Sequence, residues 1–575
     1  MAFVLGGGAA QLKPSDLAEK DILWLLRVDL GGRTFNFCTE TVSITDADSV
    51  THLCQGTLDD LDYETSFDLF GTDVGTPSVP VTVTFPVSVA TLARNGQHLS
   101  SGTAELSLWA RGSTLEERVI LVEGRIKKGT YDGDNEPITF TIESDDFVDT
   151  ALFPDVNAVV NEKTWPYADD KALNQVYPFV FGKPGATEDA TGVSRKMSGT
   201  PVYLVGNTSS ATEAWGLLAG HRVKATEVIV RDATDLTEQT VDVVHMADGL
   251  GRICAVANLT GGLHGYAIAG HEYYAKWTED LGGIPSQRPS RSGKAMNDAG
   301  ELFQFLIRQS TIKYDEGRVA ALVDQIIGYK VGGFIGERVS PWEWLVDNLL
   351  PLVPVSIGIT GAAGLYPILW NMAARVEDAV ETLTEGSASG GNCFRTSPVS
   401  YEEIDLANEI RLNYAFGPIK DLYRASTTLN GSPETVPASL LTAGLTISEV
   451  SSDGTFSSIN PDITGWPTAY ARFSHLRHGK HAVELESNIV YERQTADAIL
   501  SWMARARATY PRTVSYECST KLAWLQPGDV VALTDDSVFF SNQVAIVRSV
   551  TWGETALSLS LLLIEDHLRD TNLTT

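Results

Sequence analysis

Three histidines, His475, His478 and His481, fall within the stretch HLRHGKH. Imidazoles this close could hold a metal if they converged and a carboxylate joined them. Arg477, Gly479 and Lys480 are interspersed among them, and the run reads as a solvated loop between strands. The stretch YDGDNEP, with Asp132, Asp134 and Asn135, opens like a calcium loop. It lacks the later Gly and Glu that complete the coordination, and reads as a turn. Gly358, Gly361 and Gly364 are spaced GxxGxxG with no helix opening after them, so the geometry that aims backbone N–H groups at a phosphate is missing. In EGSASGGNCF, Ser387, Ser389 and Cys393 offer nucleophiles, but no apolar strand leads into the run and it reads as a flexible linker. With 73 Asp and Glu, paired carboxylates abound without geometry to single any out. No catalytic, cofactor-binding or metal-binding residue is assigned. The expectation is a protein that is not an enzyme and carries no cofactor.

The 43 Lys and Arg leave a formal charge of −30, with no basic block to neutralise a phosphate backbone. Specific nucleic-acid binding is therefore not expected. Solubility explains an acidic surface, and so does a need for DNA to slide past without adhering. Five scattered cysteines without CxxC spacing suggest reduced thiols made in a cytosol. The N-terminus has a short apolar run but no basic flank, so no secretory signal is read there. Residues 348–374 carry no charge, yet three prolines and three glycines interrupt them. A helix end followed by a buried hairpin is expected there, with no stable membrane insertion.

The elements that would position any site are mostly strands. At 575 residues, with 43% hydrophobic and 20% charged residues, the chain is globular and too long for one core. Residues 1–155 show β-branched and alternating runs, including SVPVTVTFPVSVATL, and a small barrel or sandwich fits them. Pro154 to Asp170 looks like a linker. Residues 156–290 form a second β-rich domain that ends in the loop GGIPSQRPSRSGK.

Residues 291–400 carry the clearest helix signals and read as an α+β domain. Asp298 and Glu301 stand at capping-box spacing before an apolar face. Ser340, Pro341 and Glu343 start a second helix that Pro351 stops. Residues 401–575 contain a helix with Thr495 expected as N-cap, and Ile499, Trp502, Met503 and Ala506 on one face. Four strands follow, read as an antiparallel meander. The turn in LQPGDVVALTDD, Pro527 to Asp529, is expected to join the first two.

The order of VYPFVFGKPG (Val176 to Gly185), DAGELFQFLIRQS, LVDQIIGYKVGGFIGERVSPWEWLVDNLLPLV, GLYPILWN and YECSTKLAWLQPGDVVALTDD resembles the tail hub, or baseplate hub, proteins of long-tailed bacteriophages and gene transfer agents. The resemblance implies a mainly β multidomain chain with α+β parts, in which two small β-barrel domains, N-terminal and C-terminal, form rings. It implies a homotrimer whose barrels make a pseudo-sixfold ring, adapting a sixfold tail tube to a threefold tip. The implied partners are the distal tail protein and tail tube above, and spike, fibre or tip proteins below. DNA would pass through the lumen during ejection. The implied location is the virion tail tip, after synthesis in the bacterial host cytoplasm. No residue-level function carries over, and no peptidoglycan-cleaving domain is evident.

Two other classes stay open on the sequence. One is a β-rich peptidoglycan- or carbohydrate-active hydrolase. The other is a carbohydrate-binding protein using Trp342, Trp344 and Trp370, although their helix and hairpin positions point to the core.

Overall fold

Alternation decides the first sheet. In a computed structural model that describes residues 22–59, 61, 63–66, 78–130, 136–144, 149–185, 199–207, 214–234, 237–259, 271–277, 282–360, 364–372, 374–386, 391–417, 422–430, 471, 474–475, 477–553 and 557–564, the chain is mainly β and built of several sheets. Its first strands are β1 (Ile22–Leu30), β2 (Arg33–Cys38), β3 (Val42–Thr45), β4 (Thr51–Gly56), β5 (Tyr63–Ser66), β6 (Ser78–Val83), β7 (Thr103–Ala110), β8 (Val119–Thr130) and β9 (Ile138–Glu143). Eight of them form one sheet in the order β3, β4, β2, β1, β7, β8, β9, β6. Trp24, Leu26, Val28 and Leu30 of β1 face the main core, and Leu23 and Leu25 face a smaller cluster with Trp109 on the other side. Leu58 bridges Val83, so the chain leaving β4 meets the far edge strand β6.

The alternating run SVPVTVTFPVSVATL is not one strand. It stops at Val83, and Ser88, whose Oγ accepts the Thr91 amide at 3.2 Å, starts the helix α1 (Val89–Arg94). Pro86 removes a ladder donor, and the serine cap then outweighs the β-branched pattern.

After β10 (Phe179–Phe181) comes a closed barrel. Its strands are β11 (Thr200–Asn207), β12 (Ala214–Ala219), β13 (Glu227–Asp232), β14 (Glu238–Ala247), β15 (Ile253–Asn258) and β16 (Tyr273–Lys276), in the order β11, β12, β15, β14, β13, β16. Sequence reading placed only a β-rich stretch here. Trp277 fills the interior beside Ala255, Ala257 and Ala275, and its indole N–H donates to Thr200 Oγ1 at 2.8 Å. The presumed linker is packed structure. Ala158, Val160, Trp165, Ala172 and Tyr177 are buried against Val205, Leu217, Cys254 and Val256 of the barrel.

The next part holds α2 (Ala299–Ile307), α3 (Glu316–Gln325), β17 (Gly333–Ile335), α4 (Pro341–Asn348) and the hairpin β18 (Val355–Thr360) with β19 (Gly364–Leu369). β17 pairs with β10, and the uncharged stretch is the expected helix end and buried hairpin. No helix among the described residues is long and apolar enough to cross a membrane. Ser340 caps α4 through the Glu343 amide, as its sequence position predicts. Asp298 caps α2 through the Gly300 amide at 3.1 Å, but Glu301 does not complete the box. Its carboxylate accepts instead from Gln287 N and Ser286 Oγ of the Gly/Pro/Ser/Arg loop.

The C-terminal part contains β20 (Glu381–Thr384), β21 (Cys393–Arg395), β22 (Ser400–Tyr401), β23 (Glu409–Gly417), β24 (Leu422–Asn430), β25 (Ala482–Glu486), α5 (Arg493–Arg507), β26 (Arg512–Cys518), β27 (Val530–Asp535), β28 (Phe540–Trp552) and β29 (Leu557–Leu563). Helix α5 starts earlier than expected, with Glu492 at the N-cap, because Thr495 Oγ1 accepts the Lys330 amide at 3.0 Å. Its buried face, Ile499, Met503 and Ala504, joins the core of α2, α4 and β23.

The last four strands are not a simple meander. They lie in the order β27, β28, β29, β26, flanked by β20 on one edge and β21 on the other. β26 therefore pairs with β29, and Pro527–Asp529 ends a crossover instead of joining paired neighbours. Glu385 bridges Cys393, so the two edges of this sheet meet at one seam. β5 leaves the N-terminal sheet to pair with β28, and a single hydrophobic cluster spans both end sheets.

Candidate functional site

The turn at Pro527–Asp529 is the point where three elements meet. Gly528 sits at φ +95°, and a Cβ there would lie 2.6 Å from Cγ2 of Ile368 on β19. Glycine thus allows both the left-handed conformation and the close approach. Gly528 N donates to Val547 O and Val547 N to Asp529 O, both at 2.8 Å, seating the turn on β28. The Asp529 carboxylate accepts the Gln526 amide at 2.8 Å, closing the turn on itself.

Arg318 of α3 donates to Gln526 Oε1 and lies 4.1 Å above the Tyr366 ring, whose hydroxyl donates to Pro527 O at 3.4 Å. Asp315 caps α3 through the Arg318 amide, and its own amide donates to Leu365 O on β19. Helix, hairpin and terminal sheet are thereby pinned at one turn. Burial pushes Asp529 up to about 6, against the Gln526 amide and the Arg318 charge, which pull it down.

A second joint ties the two end sheets. Tyr63 of β5 stacks on Trp552 of β28, ring centroids 5.7 Å apart, and the Trp552 indole N–H donates to Ala523 O at 3.1 Å. A third lies at the start of α2, where buried Asp298 sits 3.5 Å from Arg291 and 3.4 Å from Lys330. Burial raises its carboxyl, while the two cations pull it back. A cavity of ≈ 20 Å³ beside Lys330, lined also by Lys183, Asn297, Tyr491 and Glu492, has room for a water molecule and not for a sugar.

Among the described residues, those that suggested chemistry are not brought together into a site. His478 packs edge-on against Tyr510 and its carbonyl accepts from the His481 ring, while Asn408 fixes the His481 backbone. His475, Arg477 and His478 are helical, Gly479 to His481 lead on into β25, and Arg477, Gly479 and Lys480 are exposed. Among the described residues no group of His, Cys, Asp and Glu could hold a metal. Gly358 and Gly364 belong to the β18–β19 hairpin. Asp132, Asp134, Asn135, Gly361, Ser387 and Ser389 lie outside the described residues. Trp342, Trp344 and Trp370 are all buried, and the Trp370 indole donates to Ser356 Oγ at 2.7 Å. Arg318 and Tyr366 escaped sequence reading because their partners are remote in the chain.

No protein-family model matches the chain. No curated protein matches it either. Among solved structures it is similar to the tail protein from Neisseria meningitidis MC58, at 9% identity and TM-score 0.37, over 95% of this chain and 99% of that one. It is similar to the 43 kDa tail protein of prophage MuSo2 from Shewanella oneidensis at 7% identity and TM-score 0.35, over 95% and 99% of the two chains. A chain of the native gene transfer agent virion is similar at 10% identity and TM-score 0.18, over 46% of this chain and 82% of that one. At TM-scores this low the likenesses carry no argument about what the chain does.

Proposed function

We propose that the chain is a structural virion protein, a tail hub at the distal end of a phage tail tube, acting as a trimeric ring without catalysis. The observation that carries this reading is the pairing of β5 with β28. It places the two end sheets side by side on one core, each with its strands brought round toward closure by an isolated bridge. One chain thus offers two adjacent barrel-like units, and three chains would supply six. The sequence resemblance to tail hubs points the same way, and the joints described above are built of packing, hydrogen bonds and ion pairs.

In this reading a distal tail protein and the tube dock above, and spike, fibre or tip proteins below. The net charge of −30 keeps DNA from adhering to the lumen as it passes. Light scattering on the purified full chain, alone and mixed with tail partners, tests the assembly. A trimer is expected, and a strict monomer under both conditions contradicts it.

A further inference from the structure

We infer that Cys393 and Cys518 are a disulfide-forming pair that covalently staples the edge strand β21 to β26, beside the seam of the C-terminal sheet. The two residues are register partners on antiparallel β21 and β26. Ser519 N donates to Asn392 O at 3.0 Å and Thr396 N to Ser515 O at 2.9 Å, so Cys393 and Cys518 face each other as a non-hydrogen-bonded pair. That register brings Cα atoms to about 4.5 Å, inside the range of about 4.4–6.8 Å that disulfides span. Both thiols are free and buried in the shared core.

The other cysteines do not share this placement. Cys38 and Cys54 lie in one cluster, but Cys38 is opposite Gly56 in a parallel pair and Cys54 is opposite Val42. Cys254 lies in a different cluster from the other four. Selectivity for a single bridge is thus written into the register.

The bridge matters because of where it falls. β21 is a short edge strand, and Cys393 is also the residue whose isolated bridge to Glu385 joins the two edges of the sheet. The chemistry is thiol–disulfide exchange with a small disulfide such as oxidised glutathione. One cysteine loses its proton and attacks the small disulfide, releasing one glutathione thiol and leaving a mixed disulfide. The second cysteine loses its proton, attacks the protein-bound sulfur and releases the second glutathione thiol. Two Sγ–H bonds are lost, one Sγ–Sγ bond forms, and the oxidant gains both electrons as two thiols. The hydrogen bond with the Cys393 thiol, together with burial, holds the Cys518 thiol well above its usual range, so attack by Cys518 is slow at neutral pH and faster as pH rises.

The inference stands on the register of β21 and β26 and does not depend on the tail reading. The test incubates the full chain with oxidised glutathione, alkylates it in denaturant and maps the products by mass spectrometry. The expected result is a cross-linked pair of peptides holding Cys393 and Cys518, reversed by dithiothreitol, with Cys38, Cys54 and Cys254 alkylated. The bridged chain also unfolds at a higher temperature than the reduced one. In Cys518→Ser, Cys393 is expected to carry glutathione without any internal bridge. Alkylation of all five cysteines after oxidation overturns the inference. So does a Cys38–Cys54 bridge in place of this one, or a stable glutathione adduct in the unsubstituted chain.

Discussion

Asp529 shows how a residue that the sequence marks only as part of a turn becomes a buried charge once three elements close around it. Its folded pKa of about 6 lies above the ordinary 3.8, so between those values the native chain keeps a proton that the unfolded chain has released. Native stability therefore falls as pH rises through that window. Asp529→Asn keeps an acceptor for the Gln526 amide and removes the charge. The variant is expected to be more stable than the unsubstituted chain at pH 7, by up to about 3 kcal/mol, and equal to it near pH 4. Urea unfolding across that range checks this, and parallel pH profiles for the two proteins contradict it. Gly528→Ala forces a side chain into a left-handed conformation and against Ile368, and is expected to cost about 1–3 kcal/mol in thermal unfolding. The Pro-Gly-Asp turn was legible in the sequence because its chemistry is local. Arg318 and Tyr366 were not, since a cation over a ring joins residues from different elements.

At the scale of elements, the expectations that held are those decided within one turn of chain. Ser340 caps its helix, and the uncharged stretch folds back as a hairpin. Expectations failed where a distant group intervened. Glu301 is taken by Ser286 and Gln287, and Thr495 by the Lys330 amide. Alternation in the last strands identified each of them but not their order, because β29 can pair on either side and the pattern is the same for both. β5 was invisible for a similar reason: a short polar strand carries little periodicity, and its partner lies almost at the other end of the chain. It nonetheless couples the end sheets. Tyr63→Ala removes the ring stacked on Trp552 and is expected to cost about 3 kcal/mol. Calorimetry should then resolve separate transitions for the two end sheets, whereas a single shifted transition would show that β5 is not the coupling element.

At the scale of the whole molecule, the chain leaves one end sheet, builds a closed barrel and a helical layer, and returns to complete the other end sheet beside the first. That return is what makes the two end sheets neighbours, and it is the basis for the proposal that each chain supplies two of the six units in a ring of three chains. Composition and charge gave a large acidic globular protein in which specific nucleic-acid binding is not expected, but the closed barrel of β11 to β16 was hidden behind strands whose pairing only tertiary contacts decide. The most direct measurement is electron microscopy of the purified full chain, with tail partners added if it stays monomeric alone. The account predicts rings of three copies in which N-terminal and C-terminal sheets alternate as six units around a lumen walled by carboxylates. Rings of another order, an open filament, or a lumen wall that is basic or neutral would contradict it.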